Sequence, residues 1–181
     1  MSENEAPARD AVDRAAEEWA QTWPDLDVSP ADVLARINRL SRLFDDAQAQ
    51  QLRGVPGGGI DNLGDFELLR TLRRSGTPYA LTPRQLEREM LVSSAGISGR
   101  LKRLAAAGWI ERVPSDSDRR SVAVQLSETG LRRLDEYLPQ HCDFERELIA
   151  GVKEDKEHLV RTLRRLMANL ETTSQSRDRS P

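Results

Sequence analysis

The sequence predicts a mainly helical chain carrying one small β-hairpin, an α+β arrangement. Three observations predict it. Apolar residues recur at helical spacing over most of the length, as at Val33, Leu34, Ile37, Leu40, Leu43 and Phe44. Only two short stretches, Trp109–Val113 and Ser121–Leu126, read as strands, and they flank a charged tip. Aromatic residues make up 4% of the 181 residues and charged residues 31%, a composition of solvated helices rather than of a sandwich or barrel. That length suits one domain, or one domain with extended arms.

The elements follow in order. Residues 1–9 are polar and expected to be disordered, and residues 10–75 form an N-terminal helical region. Within it, Asp10–Trp23 is helix-compatible and stops at Pro24. Ser29 is placed to cap the next helix, with Pro30 at its first position, and the apolar stripe carries that helix to about Leu52. Gly54–Gly59 lacks the Lys and Ser/Thr of a phosphate-binding loop and reads as a plain flexible connection. Asn62–Ser75 is a third helix that turns Phe66, Leu68, Leu69 and Leu72 inward.

Residues 76–130 form a separate lobe. Thr82 caps a short helix with Pro83 at its first position, running to about Met90. Ser93 or Ser94 caps the following helix, whose apolar positions are Ile97, Leu101 and Leu104 and which ends at Gly108. The two strands come next, with Val122, Val124 and Leu126 alternating. Residues 131–172 return to helical periodicity, with breaks expected near Pro139 and Gly151, and 173–181 is expected to be a disordered polar tail.

Charge and cysteine usage narrow the function classes. The net charge is −3, yet residues 81–133 hold ten Lys/Arg against six Asp/Glu. Both flanks are acidic. Phosphate binding depends on local charge, so an acidic body does not forbid it. A lone cysteine, Cys142, excludes an internal disulfide framework. There is no membrane-length apolar run and no basic-then-apolar leader, so a cytoplasmic protein without membrane contact is expected. Two histidines and one cysteine, with no catalytic motif around them, point away from an enzyme and call for no cofactor or metal.

Two helices joined by a tight turn and followed by a hairpin form a winged helix-turn-helix, one element for each groove of double-stranded DNA. The exposed positions in the N-terminal half of the second helix are Ser93, Ser94, Gly96, Ser98 and Gly99, mostly small. Small residues let the backbone approach closely, and hydroxyls bond phosphate or base edges. Arg103 lies one turn on, within reach of a phosphate or a guanine. Thr82 and Arg84 join this set from the preceding helix. At the hairpin tip, Arg119 and Arg120 suit a narrow minor groove, with Asp118 placed to hold Arg120 extended.

The stretch Leu81–Gly130 resembles the MarR family of bacterial winged-helix transcriptional regulators. The resemblance rests on serines followed by RLKRL and GWIER within Ser94–Arg112, on DRR at Asp118–Arg120, and on LSETG at Leu126–Gly130. It implies a homodimer with interlocked terminal helices, bound to a pseudo-palindromic operator and lying on the nucleoid when bound, and repression as the commoner outcome. Two basic lobes would then meet half-sites about 34 Å apart, which answers the weak basic charge of one copy. The leucine stripes at both ends suit such an interface.

A smaller set within the family resembles the chain further: regulators with an additional N-terminal helix that respond to urate or related anionic aromatic metabolites. Their pattern implies a ligand site made of Trp19 in EWAQ, Arg100 in GRLKRL, Arg112 in WIERV and Glu67 in DFELL, where that set has Asp. Arginines recognise a planar anion through paired donors, and an indole offers a stacking contact. Two alternatives stay open beside this one: oxidant sensing through Cys142, and a regulator with no small-molecule ligand.

Overall fold

The computed structural model describes residues 8–55, 57–60, 62–114, 122–152 and 155–178. The order is α1 (Ala11–Thr22), α2 (Ala31–Leu52), α3 (Leu63–Arg74), β1 (Ala80–Leu81), α4 (Pro83–Met90), α5 (Ser94–Ala106), β2 (Ile110–Pro114), β3 (Val122–Leu126), α6 (Glu128–Leu148), a 3₁₀ turn (Ala150–Val152) and α7 (Lys156–Asp178). It divides into two units, Met1–Leu134 and Asp135–Pro181.

In the first unit α3, α4 and α5 pack with a three-stranded antiparallel sheet of order β1-β3-β2. Phe66, Leu68, Leu69 and Leu72 of α3, Leu86 of α4, and Ile97 and Leu104 of α5 are fully buried. These are the inward positions that helical periodicity selects. The sheet departs from the expected hairpin. A third strand, β1, pairs Ala80 with Gln125 and Leu81 with Val124, which makes β3 central. Alternation on β3 is partial: Val124 and Leu126 are buried on either side of a half-buried Gln125, but Ala123 is buried as well and Val122 is exposed.

Helix starts follow local chemistry. Asp10 and Asp13 form a capping box on α1, and Asn62 caps α3 through Asp65 N–H. The expected Ser29 cap on α2 is absent: Pro30 has the helical angles of a first position (φ −62°, ψ −25°), but no side chain caps this end, and the Ser29 side chain bonds Asp27 instead. Backbone turns from Ala31 N–H to Val28 O and from Asp32 N–H to Ser29 O serve instead, and Asp27 takes the Ser29 N–H.

The glycine loop is also more ordered than a plain connection. Gly57, Gly58 and Gly59 all have positive φ, a region that costs glycine little. Gly58 O accepts the indole N–H of Trp109 at 3.0 Å, and a Cβ on Gly59 would meet Ala107 Cβ at 2.7 Å.

In the helical arms, Pro139 does not break α6, which runs through it to Leu148. One lost donor is tolerated in a helix of 21 residues. The break falls at Ala150–Val152, as expected near Gly151. The C-terminal segment expected to be a disordered tail from residue 173 is helical through Asp178. It contains neither Gly nor Pro before Pro181, and the Thr172 and Thr173 hydroxyls donate to Ala168 O and Asn169 O. Among the described residues, no helix is long and apolar enough to cross a membrane.

Candidate nucleic-acid interface and the adjoining pocket

Local sequence dictates the helix-turn-helix. Thr82 and Gln85 form a reciprocal capping box, and Pro83 opens α4. The helix ends on Leu91 in the left-handed region (φ 53°), which turns the chain sharply. Leu91 is 89% exposed. Ser93 then caps α5 by accepting Gly96 N–H at 3.3 Å. The turn is tight enough that a Cβ on Gly96 would lie 2.6 Å from Val92 Cγ1. With Ile97, Leu101 and Leu104 buried, α5 exposes Ser94, Ala95, Ser98, Gly99 and Lys102, and also Arg103, Ala105 and Ala106 toward its C-terminal end.

The residues expected to touch DNA therefore separate. Ser94, Ser98 and Gly99 lie on the exposed face, and Arg84 is exposed on α4. Ser93 and Thr82 spend their hydroxyls on capping: Thr82 Oγ1 donates to Gln85 Oε1 at 2.8 Å, and Ser93 Oγ serves Gly96. Gly96 is half-buried against Val92. Asp118, Arg119 and Arg120 lie outside the described residues. Arg103 is engaged with the body: its Nε and Nη2 donate to Asp65 Oδ2 at 3.0 Å and Oδ1 at 2.7 Å. Sequence reasoning missed Lys102, although it continues the Ser94–Ser98 stripe at i+4, the spacing that marks one helix face.

Of the proposed ligand residues, the structure brings two together. Glu67 and Arg100 both line an open pocket of about 790 Å³ whose wall also includes Asp45, Arg74 and Glu89. Glu67 does not hold Arg100 there. Its Oε1 accepts from Arg70 Nη1 at 3.2 Å, while Arg100 Nη1 donates to Gly64 O at 3.3 Å. Arg74 pairs with Glu89 at 2.9 Å. Trp19, 48% exposed, lines a separate groove between α1 and α2. Arg112 is exposed on β2 and lines neither cavity.

The α1 helix is tied to α2 by Arg36, which reaches Asp10 at 2.9 Å and Asp13 at 2.6 Å. The Asp13 backbone N–H, followed by that of Val12 and by Arg36, holds the Asp10 carboxyl below its ordinary range. Asp13 is lowered in turn by the Asp10 N–H and Arg36. On α6, Cys142 is exposed, and the adjacent buried His141 places Nε2 3.0 Å from Glu145 Oε1.

Comparison with known proteins adds a second line of observation. Residues 59–121 match the family model described as MarR family. Over 160 residues the chain is 34% identical to the HTH-type transcriptional regulator PecS of Dickeya dadantii (strain 3937), spanning 88% of this chain and 94% of PecS. Its fold is similar to that of Sco3205, a MarR family transcriptional regulator from Streptomyces coelicolor solved in complex with DNA. That likeness has a TM-score of 0.69 at 22% identity, covering 80% of this chain and 89% of the other. It is also similar to the organohalide-sensing transcriptional regulator RdhR in its 2,4-dichlorophenol-bound form, with a TM-score of 0.68 at 19% identity over 81% and 83% of the two chains.

Proposed function

The chain belongs to the MarR family of winged-helix, DNA-binding transcriptional regulators, and from that premise we propose that it is a homodimeric repressor released from a pseudo-palindromic operator by a small anionic aromatic ligand. One observation carries the DNA-reading assignment: α5 buries Ile97, Leu101 and Leu104 while presenting small and hydroxyl side chains with Lys102 on its outer face. A helix so faced can enter the major groove closely and bond backbone and base edges.

Exposed apolar side chains support the dimer. In the first unit Leu40 and Leu43 of α2 are 65% and 55% exposed, and in the second Met167 and Leu170 of α7 are 58% and 55% exposed. Burying each such side chain contributes about 1.5–3 kcal/mol, and symmetric association is the common way to do so.

The pocket supports the effector. Arg100 belongs to α5, so an anion that draws its guanidinium away from Gly64 O acts directly on the reading helix. Such a ligand favours release only through differential affinity for two conformations. The 2,4-dichlorophenol of RdhR is a precedent for a small aromatic effector on this fold. Glu67 and Arg100 line one pocket of this chain, which supports their part in such a site; Trp19 lines a separate groove and Arg112 lines neither.

The test titrates purified protein into DNA from just upstream of its own gene, by anisotropy at two salt concentrations, and then adds urate and other aromatic acids. Salt-sensitive binding of two chains per operator, released by one of these acids in the parent but not in Arg100→Gln, is expected. Absence of specific binding would remove the operator assignment; binding that no aromatic acid reverses would remove the effector.

A further inference from the structure

Two arginines of α5, the half-buried Arg100 and the partly exposed Arg103, reach across to the first turn of α3. Arg100 and Arg103 lie three residues apart, so they share one side of the helix. Arg100 Nη1 reaches Gly64 O at 3.3 Å. The seat is open only because residue 64 has no side chain: a Cβ there would lie 2.9 Å from Arg100 Nε. Arg103 makes the stronger contact, with both Asp65 oxygens taken by one edge of its guanidinium at 3.0 and 2.7 Å. Paired charge-assisted bonds of this kind fix orientation as well as distance.

Asp65 is prepared for that partner. It is fully buried, although a carboxylate is seldom buried without a fixed counter-charge. Asn62 steadies it by donating Nδ2 to Oδ2 at 3.3 Å and by capping its N–H at 3.0 Å. Its place in the first turn of α3 puts it at the positive end of the helix dipole. Arg103 is the solvent-facing half of the pair, with a side chain 44% exposed.

We propose that the Asp65–Arg103 pair is a strut that sets the pose of the reading helix, making Arg103 a positioning residue rather than a DNA contact and leaving Lys102 as the phosphate-facing cation of α5. This rests on α5 being the helix that reads DNA. The strut has a consequence opposite in sign to simple charge counting. Removing the Asp65 charge strengthens binding to a polyanion if electrostatics alone matters, whereas loss of the strut weakens it.

The experiment measures operator affinity of the full-length protein across a salt series for Asp65→Asn, Arg103→Lys, Lys102→Gln and Ser98→Glu, with a thermal melt of each. Asp65→Asn and Arg103→Lys are expected to lose about ten- to a hundredfold in affinity, the range corresponding to loss of charge-assisted hydrogen bonds, with the salt slope kept. Arg103→Lys keeps the charge on a half-exposed side chain but loses the fork, so it tests the strut even if Asp65→Asn unfolds. Lys102→Gln is expected to reduce the slope by about 0.9 for each phosphate that is no longer neutralised. Unchanged or tighter binding by folded Asp65→Asn, or parental affinity in Arg103→Lys, overturns the strut. If Ser98→Glu binds like the parent, the assignment of α5 as the reading helix fails first, and the strut falls with it.

Discussion

Replacing Gly130 with alanine sets two physical effects against each other. Gly130 lies in the first turn of α6, where alanine is favoured over glycine by about 1 kcal/mol from helix propensity alone. The space is not there. A Cβ at Gly130 would fall 2.8 Å from Trp109 C and 3.0 Å from Trp109 Cα, with Trp109 O nearer still. These are backbone atoms, and Trp109 has little freedom to yield. Its N–H donates to Leu104 O at 2.9 Å, its carbonyl accepts Ser127 N–H at 3.0 Å, and its indole N–H is held by Gly58 O at 3.0 Å. Overpacking a rigid site costs about 1–3 kcal/mol, and a shift that breaks the Ser127 bond costs about 1 kcal/mol more. Destabilisation therefore wins, by about 2 kcal/mol net. For a chain of this size that lowers Tm by about 4–8 °C. The assay is a thermal melt by circular dichroism at matched protein concentration, since association shifts Tm. Gly99→Ala is the internal comparison, because its Cβ meets only Arg103 Nη1 at 3.7 Å, and its melt is expected to rise. A Gly130→Ala protein melting at or above the parent would refute the rigidity of the Trp109 node.

Other outcomes follow from the same packing. Trp109→Phe keeps most of the buried ring but loses the bond to Gly58 O, and is expected to cost about 1–3 kcal/mol in a denaturant titration; no loss would mean that the glycine loop is not anchored there. Asp10 and Asp13 have lowered folded-state pKa values, so the stability they contribute is present above the ordinary carboxylate value of 3.8 and is lost as pH falls through the folded ones. Emission from Trp19 and Trp23 is expected to report α1 loosening in that acid range, and Arg36→Gln to move the change to higher pH. An identical acid profile in Arg36→Gln would show that Arg36 does not hold α1. Leu40→Glu is expected to shift the proposed dimer toward monomer in sedimentation velocity and to weaken operator binding with it; an unchanged sedimentation coefficient would take α2 out of the proposed interface.

What was legible in the sequence was local. Thr82-Pro-Arg-Gln85 announces a capping box, and the Ile97, Leu101 and Leu104 spacing announces the buried side of α5, because both depend on neighbours within a turn or two. The third strand was not legible: Ala80–Leu81 is two residues long and exists only because Val124 and Gln125 offer it a partner across more than forty residues. The Ser29 cap failed for a local reason of a different kind. Pro30 does adopt the helical angles of a first position, but the Ser29 side chain is taken by Asp27, so the first turn closes without a side chain.

The two arginines of RLKRL show why the candidate site was only half legible. Spacing places Arg100 and Arg103 on one side of α5, and a basic side of a reading helix suggests phosphate. Whether that side meets DNA or protein depends on the residues of α3 that face it, about forty positions away in the chain. Asp65 and Gly64 decide it, one by offering a buried carboxylate and the other by leaving room for a guanidinium. Neither carries a helical-period signal that would single it out. The consequence is a helix with three distinct sides: an apolar one in the core, a basic one bonded to α3, and a small polar one that the proposed function assigns to DNA. Because Arg100 occupies both the basic side and the pocket wall, a ligand there meets the reading helix at a point that also bears on its pose.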